Sequence, residues 1–150
     1  MALKSKFMTN PLATALAITA QAFEHSTDKA GQPYMLHCLR VMNNLHTDDQ
    51  ELQAIAVMHD LLEDTELTFG ALTALGFSQR VVSALILLKH DQGVPYDSYI
   101  KLLAYNKDAV AVKKADLKDN SDITRLKGLT KKDIDRMEKY HRAWVYLSKL

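Results

Sequence analysis

Two polar pairs interrupt the most hydrophobic stretch of the chain, Ala54-Ile55-Ala56-Val57-Met58-His59-Asp60-Leu61-Leu62-Glu63-Asp64. Four ionisable groups in such a setting are costly to bury unless they find partners. His59 and Glu63 are four residues apart and Asp60 and Glu63 three apart, so a helix brings all three toward one site. An imidazole beside carboxylates on a core helix suits a divalent cation of the Mn²⁺, Fe²⁺ or Zn²⁺ type. Such an ion lowers the pKa of a water molecule, and a neighbouring carboxylate can take the proton. A helix C-terminus emerging into solvent accounts for Glu63 and Asp64, but not for His59 and Asp60.

Two other places set polar groups into apolar helices. His37 lies one turn after Tyr34 in Pro33-Tyr34-Met35-Leu36-His37, and by itself reads as a satisfied core or surface histidine rather than a ligand. Asp116 and Asn120 are four apart within Val112-Lys113-Lys114-Ala115-Asp116-Leu117-Lys118-Asp119-Asn120, which alone reads as amphipathic surface. Lys113, Lys114, Lys118, Arg125 and Lys127 crowd around this segment, either solvated or available to phosphates, with Arg125 best suited to two-pronged contact. His25, His46, His90 and His141 have no partner at ligand spacing and read as surface residues.

Helices must carry these side chains, because helical signals recur along the chain whereas hairpin turns and sustained apolar/polar alternation do not. Asn10-Pro11 opens a helix through about Glu24 with Leu12, Leu16 and Phe23 on one side. Pro33 starts a second, to about Asn44, whose Met35, Leu39 and Met42 form its apolar face. Thr47-Asp48-Asp49-Gln50 has the form of a capping box, opening a third helix through Leu52, Ile55, Val57, Leu61 and Leu62 that is apolar nearly all round and therefore central. Thr68 to Leu75 is a short helix closed by Gly76, Ser78 caps the next to about His90, and Pro95 begins another to about Tyr105. Asp108 is expected to cap a helix toward Asp122, and Thr130 the last, to about Ser148. The expectation is an all-α, compact fold of six to eight helices.

The chain has 150 residues, 47% of them hydrophobic and 25% charged, which fits one domain spanning 1–150 and leaves no room for a second catalytic one. No apolar run approaches the roughly 20 residues of a membrane span, so no membrane association is expected. The lysines near Met1 are followed by Thr9-Asn10-Pro11, which breaks any export-signal core, and the single Cys38 cannot form an internal disulfide. A cytoplasmic protein is expected. The net charge of +1 conceals −5 over residues 1–100 and +6 over 101–150. Acids alternate with the lysines from Lys131 to Lys149, as on a solvated helix face, so nucleic acid is not an expected partner. Tyr140, Trp144 and Tyr146 suggest a packing seam between subunits, making the last helix the expected homo-oligomer contact.

Taken together, the order His, then His-Asp, then a distant Asp resembles the HD superfamily of metal-dependent phosphohydrolases, an all-helical family. More narrowly, Gly31-Gln32-Pro33-Tyr34-Met35-Leu36-His37, Met58-His59-Asp60-Leu61-Leu62-Glu63-Asp64-Thr65 and Lys114-Ala115-Asp116 through Asn120 resemble the hydrolase domain of the RelA/SpoT alarmone enzymes, over about residues 10 to 130. The resemblance implies one divalent metal ion, usually Mn²⁺ with Fe²⁺, Zn²⁺, Co²⁺ or Ni²⁺ as alternatives, held by His37, His59, Asp60 and Asp116. It makes Glu63 and Asp64 the acidic pair handling the attacking water, with Glu63 the preferred proton acceptor. It places Lys29, Tyr34 and Asn120 against the substrate, and Arg125 is added to them from its chemistry. Three positions depart from the family's pattern: Cys38 stands where proline is usual, Asp28 where an arginine reaches the guanine, and Leu117-Lys118-Asp119 where Arg-Leu-His is usual.

The resulting expectation is a stand-alone metal-dependent phosphohydrolase of a purine nucleotide, foremost a (p)ppGpp 3′-pyrophosphohydrolase releasing pyrophosphate. A nucleotide phosphatase and a non-catalytic nucleotide-binding module are the alternatives. Three of the four expected ligands lie in the acidic part and Asp116 in the basic part, so the site is expected where the two meet.

Overall fold

In the computed structural model, which describes residues 10–150, most helices start where a short polar side chain can satisfy the first free amides. Asn10 accepts from Ala13 N and opens α1 (Pro11–Ala22). Then come α2 (Tyr34–Asn44), α3 (Gln50–Met58), α4 (Leu61–Asp64), α5 (Phe69–Ala74), α6 (Gln79–Leu88), α7 (Tyr96–Leu103), α8 (Lys107–Asn120), a 3₁₀ turn (Ile123–Arg125) and α9 (Lys131–Ser148). Thr68, Ser78 and Thr130 cap α5, α6 and α9 as the sequence implies, the last in a reciprocal box with Asp133. Among the described residues no helix is long and apolar enough to cross a membrane. The residues before Asn10, and the export-signal expectation that falls on them, lie outside the described part.

Two caps differ from the sequence reading. Asp49, not Thr47, caps α3, its Oδ1 accepting from Glu51 N and Leu52 N at 3.1 and 3.2 Å. Asn106, not Asp108, caps α8, because both oxygens of Asp108 are taken by Arg80 at 2.9 and 3.0 Å. Arg80 also reaches Asp49 at 2.7 Å, so one guanidinium fastens the N-termini of α3 and α8 together. Those are the two helices that deliver His59-Asp60 and Asp116.

The third expected helix is interrupted at His59-Asp60, which gives nine α-helices among the described residues. The Ala56 carbonyl accepts from both the backbone N and the ring Nδ1 of His59, at 3.4 and 2.7 Å, so the turn tightens there and the short α4 begins anew at Leu61. The central position of α3 holds: Ala54 through Met58 are fully buried, and the helix packs on α1, α2, α6 and α8. Small Ala15 and Thr19, with Phe23, form the buried face of α1 in place of Leu12 and Leu16, which are half-buried. On α2 the buried face is His37, Cys38 and Val41 rather than Met35, Leu39 and Met42, because the histidine is drawn inward by carboxylates. Ile55→Ala should cost about 2–5 kcal/mol in a denaturant titration, since nothing around α3 is free to refill the cavity.

Candidate active site

Three separate helical segments bring four donor atoms together. His37 comes from the middle of α2, His59 and Asp60 from the break between α3 and α4, and Asp116 from α8. Nε2 of His37 and Nε2 of His59 are 3.3 Å apart. Asp60 Oδ2 lies 2.9 Å from His59 Nε2 and 3.6 Å from His37 Nε2. Asp116 Oδ1 lies 3.2 and 3.3 Å from the same two nitrogens. Adjacent ligands around a small divalent cation are separated by about 3 Å, so the set has the right chemistry and spacing for one.

The hydrogen bonds around the cluster point the donor atoms inward. His37 Nδ1 donates to Asp119 Oδ2 and His59 Nδ1 to the Ala56 carbonyl, both at 2.7 Å. With those protons committed, the two Nε2 lone pairs face two carboxylates, an arrangement that requires positive charge between them. In the protein alone that charge is protons. Burial opposes protonation of His37, but Asp116, Asp119 and Asp60 outweigh it and push the imidazole up to about 11. Burial likewise opposes His59, and the charges of Asp60 and Asp116 raise it to about 10. Burial would raise Asp116, yet Lys113 and the two histidines hold it well below the usual carboxylate range.

Each acidic ligand is oriented by a neighbour. Asp116 Oδ2 accepts from the buried Lys113 Nζ at 2.9 Å and Oδ1 from Asn120 at 2.8 Å. The Tyr34 hydroxyl donates to Asp60 Oδ2. Tyr34 and Asn120, expected against the substrate, line the cavity but spend a polar group on a ligand carboxylate. Asp60, Glu63 and Asp64 offer oxygens within 4.8 Å of one another. The two acids differ, however. Glu63 Oε1 accepts from His90 N at 2.7 Å, whereas burial and the charges of Asp60 and Glu63 push Asp64 up to about 6. A carboxylate raised to that range can take a proton near neutral pH.

A cavity of about 440 Å³ opens from the cluster. Lys29, Arg136 and Lys139 also line it, together with Tyr96, Tyr140 and Met137. Burial and the charge of Arg136 lower Lys29; burial, Lys113 and Arg136 lower Lys139, the signature of crowded cations. The basic residues of α9 are thus not only a solvated face: Arg136, Lys139 and Tyr140 follow the i, i+3, i+4 stripe that turns toward the cavity. Tyr140 faces inward and does not join Trp144 in an outer seam; Trp144 instead lies beneath Lys114, 5.4 Å from its Nζ.

Some expected roles change. Arg125 lines the cavity, but its guanidinium donates to the Asp119 carbonyl at 2.9 Å, to Asp119 Oδ2 at 3.2 Å and to Asp28 Oδ2 at 3.3 Å, so it is committed to protein acceptors. Asp28 Oδ1 accepts from Ala30 N and Gln32 N at 2.9 Å each, shaping the loop that aims Lys29 at the cavity. His90 is half-buried: it lines the cavity, stacks on Tyr99 at 4.6 Å and donates from Nε2 to the Val94 carbonyl at 2.6 Å. Cys38 is fully buried, and burial with the nearby Asp60 pushes its thiol up to about 12, so it is unreactive. Sequence reasoning missed Asp119, although its place three residues beyond Asp116 on α8 was the available signal.

The all-α arrangement of helices has a counterpart among solved structures. A solved structure described as a metazoan ortholog of SpoT that hydrolyzes ppGpp and plays a role in starvation responses matches 95% of this chain and 88% of its own, with a TM-score of 0.75 at 20% identity. At that identity the likeness concerns the fold. No protein-family model and no curated protein matches the chain by sequence.

Proposed function

We propose that the chain is a metal-dependent phosphohydrolase of a purine nucleotide, foremost a (p)ppGpp 3′-pyrophosphohydrolase, with residues 1–150 forming one catalytic domain. The observation that carries this reading is the convergence of two imidazoles and two carboxylates on a cavity that Lys29, Arg136 and Lys139 also line. His37, His59, Asp60 and Asp116 would hold the ion, Mn²⁺ first, with Fe²⁺, Zn²⁺, Co²⁺ and Ni²⁺ as alternatives. When bound, the ion lowers the pKa of water and offsets charge on the phosphoryl oxygens. Asp64 takes the proton of the attacking water, and Lys29, Arg136 and Lys139 receive the phosphates remote from the reacting one. Water oxygen bonds to the phosphorus attached at the 3′ oxygen, the P–O3′ bond breaks, the 3′ oxygen is protonated and pyrophosphate departs. The activity named for the metazoan structure supports this choice of substrate.

A second reading changes only the substrate, to another phosphorylated nucleotide, and rests on Asp28, which is tied to Arg125 and offers no cation to a base. Incubating metal-loaded protein with ppGpp and a nucleotide panel separates the two: pyrophosphate supports the first reading and orthophosphate the second. Tight nucleotide binding without turnover across several metals would favour a binding module and defeat both. Arg136→Gln should raise KM about tenfold with kcat nearly unchanged, because a charge-assisted contact remote from the reacting phosphorus binds ground state and transition state alike.

A further inference from the structure

We propose that Asp119 is a positioning residue for the metal centre, holding His37 as the stronger of the two imidazole ligands. The inference rests on the metal-dependent reading above. The Asp119 side chain is almost fully buried, and its Oδ2 accepts the Nδ1 proton of His37 at 2.7 Å. That bond settles which nitrogen of the ring carries hydrogen and leaves Nε2 as the lone pair facing His59, Asp60 and Asp116.

The carboxylate cannot swing away. Oδ1 accepts from Arg40 Nε at 2.7 Å, and Oδ2 is shared with Arg125 at 3.2 Å. Arg125 continues to Asp28 at 3.3 Å, so two arginines and two aspartates alternate behind the ring and the buried charge is balanced. The chain supplies its own comparison in His59, whose Nδ1 donates to a neutral backbone carbonyl. A carboxylate partner makes an imidazole a better donor to a metal than a carbonyl partner does, so the two rings differ in ligand strength. One turn of α8 thus provides a ligand, Asp116, and the support for another, Asp119. The competing account is purely architectural: Asp119 would serve only to tie Arg40 of α2 and Arg125 to α8.

Calorimetric titration of the nucleotide-free protein with Mn²⁺ distinguishes the two. Asp119→Asn keeps an oxygen for Nδ1 but loses the charge, and should weaken Mn²⁺ binding by about 10- to 100-fold while the far-UV dichroism stays that of the parent. An architectural role alone would lower stability and leave the affinity of the folded variant within about twofold, which overturns the proposal. A second measurement needs no variant. In the Co²⁺-loaded parent, the His37 Nδ1 proton should appear as a shifted, slowly exchanging resonance; exchange as fast as at an open site would overturn the proposal even if Asp119→Asn fails to fold. If the parent binds no divalent ion, the functional reading falls together with this one. Binding by the parent with unchanged affinity in the variant removes only the role of Asp119.

Discussion

Asp60→Ala should abolish turnover, by at least about a thousandfold, and should leave the purified protein without stoichiometric metal. Asp60 Oδ2 faces both imidazoles, at 2.9 and 3.6 Å, and is held by Tyr34, so its loss removes one of two charges that face the ion and frees the hydroxyl that fixed it. Asp116 cannot compensate, because its second oxygen is bound to Lys113. Two buried imidazoles would then share a single carboxylate, which also weakens the fold in the absence of metal. The direction follows from linkage: Asp60 is held below its ordinary value in the folded chain, so the stability it contributes is present at neutral pH and is lost only as the solution becomes strongly acidic. Asp60→Asn, which preserves an acceptor for Tyr34, separates the effects. Metal analysis, thermal unfolding and nucleotide turnover on the three proteins should show metal and activity lost in both variants and stability reduced more in the alanine. Full activity in a metal-free Asp60→Ala protein would sink the metal-dependent mechanism.

His59 and Asp60 were legible because their types are wrong for their surroundings, Ala54–Met58 and Leu61-Leu62, whereas His37 and Asp116, which read alone as core and surface residues, became candidates only through the resemblance. Capping was legible at Asn10, Thr68, Ser78 and Thr130, where a side chain acts on an amide two or three residues away. Asp49 and Asp108 were misread because a distant residue, Arg80, decides between cap and ion pair, and that choice has no local signature. The turn at His59 was hidden for the opposite reason: apolar periodicity runs smoothly from Leu52 to Leu62, and only the ring's bond to the Ala56 carbonyl reveals the break. Arg125 was assigned to phosphate from its chemistry alone, while Asp28 and Asp119, 97 and 6 residues away in sequence, had prior claim on it.

The meeting of the acidic and basic parts has physical meaning at the cavity. Carboxylates collect where α2, α3, α4 and α8 converge, and α9 brings Arg136 and Lys139 to the same cavity. Under the proposed reading, a substrate with phosphates at two ends would engage both sets of groups. A substrate with a single phosphate would leave one set unmatched, which is why the bis-phosphorylated nucleotide leads that reading.

Asp64→Asn should reduce kcat by about 10²- to 10⁴-fold with the metal still bound, the range expected for loss of a positioned proton acceptor. Glu63→Gln should cost far less, since one Glu63 oxygen serves the His90 amide and an amide oxygen can replace it there. The pH profile carries the assignment. Burial and the charges of Asp60 and Glu63 raise Asp64 to about 6, and the carboxylate is the active form, so activity should climb as pH rises toward neutrality. A bound cation favours the ionised acid, which places the acidic limb at or below pH 6 in the loaded enzyme. Stability should move the other way. Between the ordinary aspartate value and about 6 the folded chain holds a proton that the unfolded chain has released, so the contribution of Asp64 to stability falls as pH rises through that window. The asparagine variant escapes this loss and, free of metal, should melt at a higher temperature than the parent above pH 6. A residue that only supports the fold cannot give this pair of results, greater stability with lower activity. An unchanged acidic limb in Asp64→Asn would return the role of proton acceptor to Glu63.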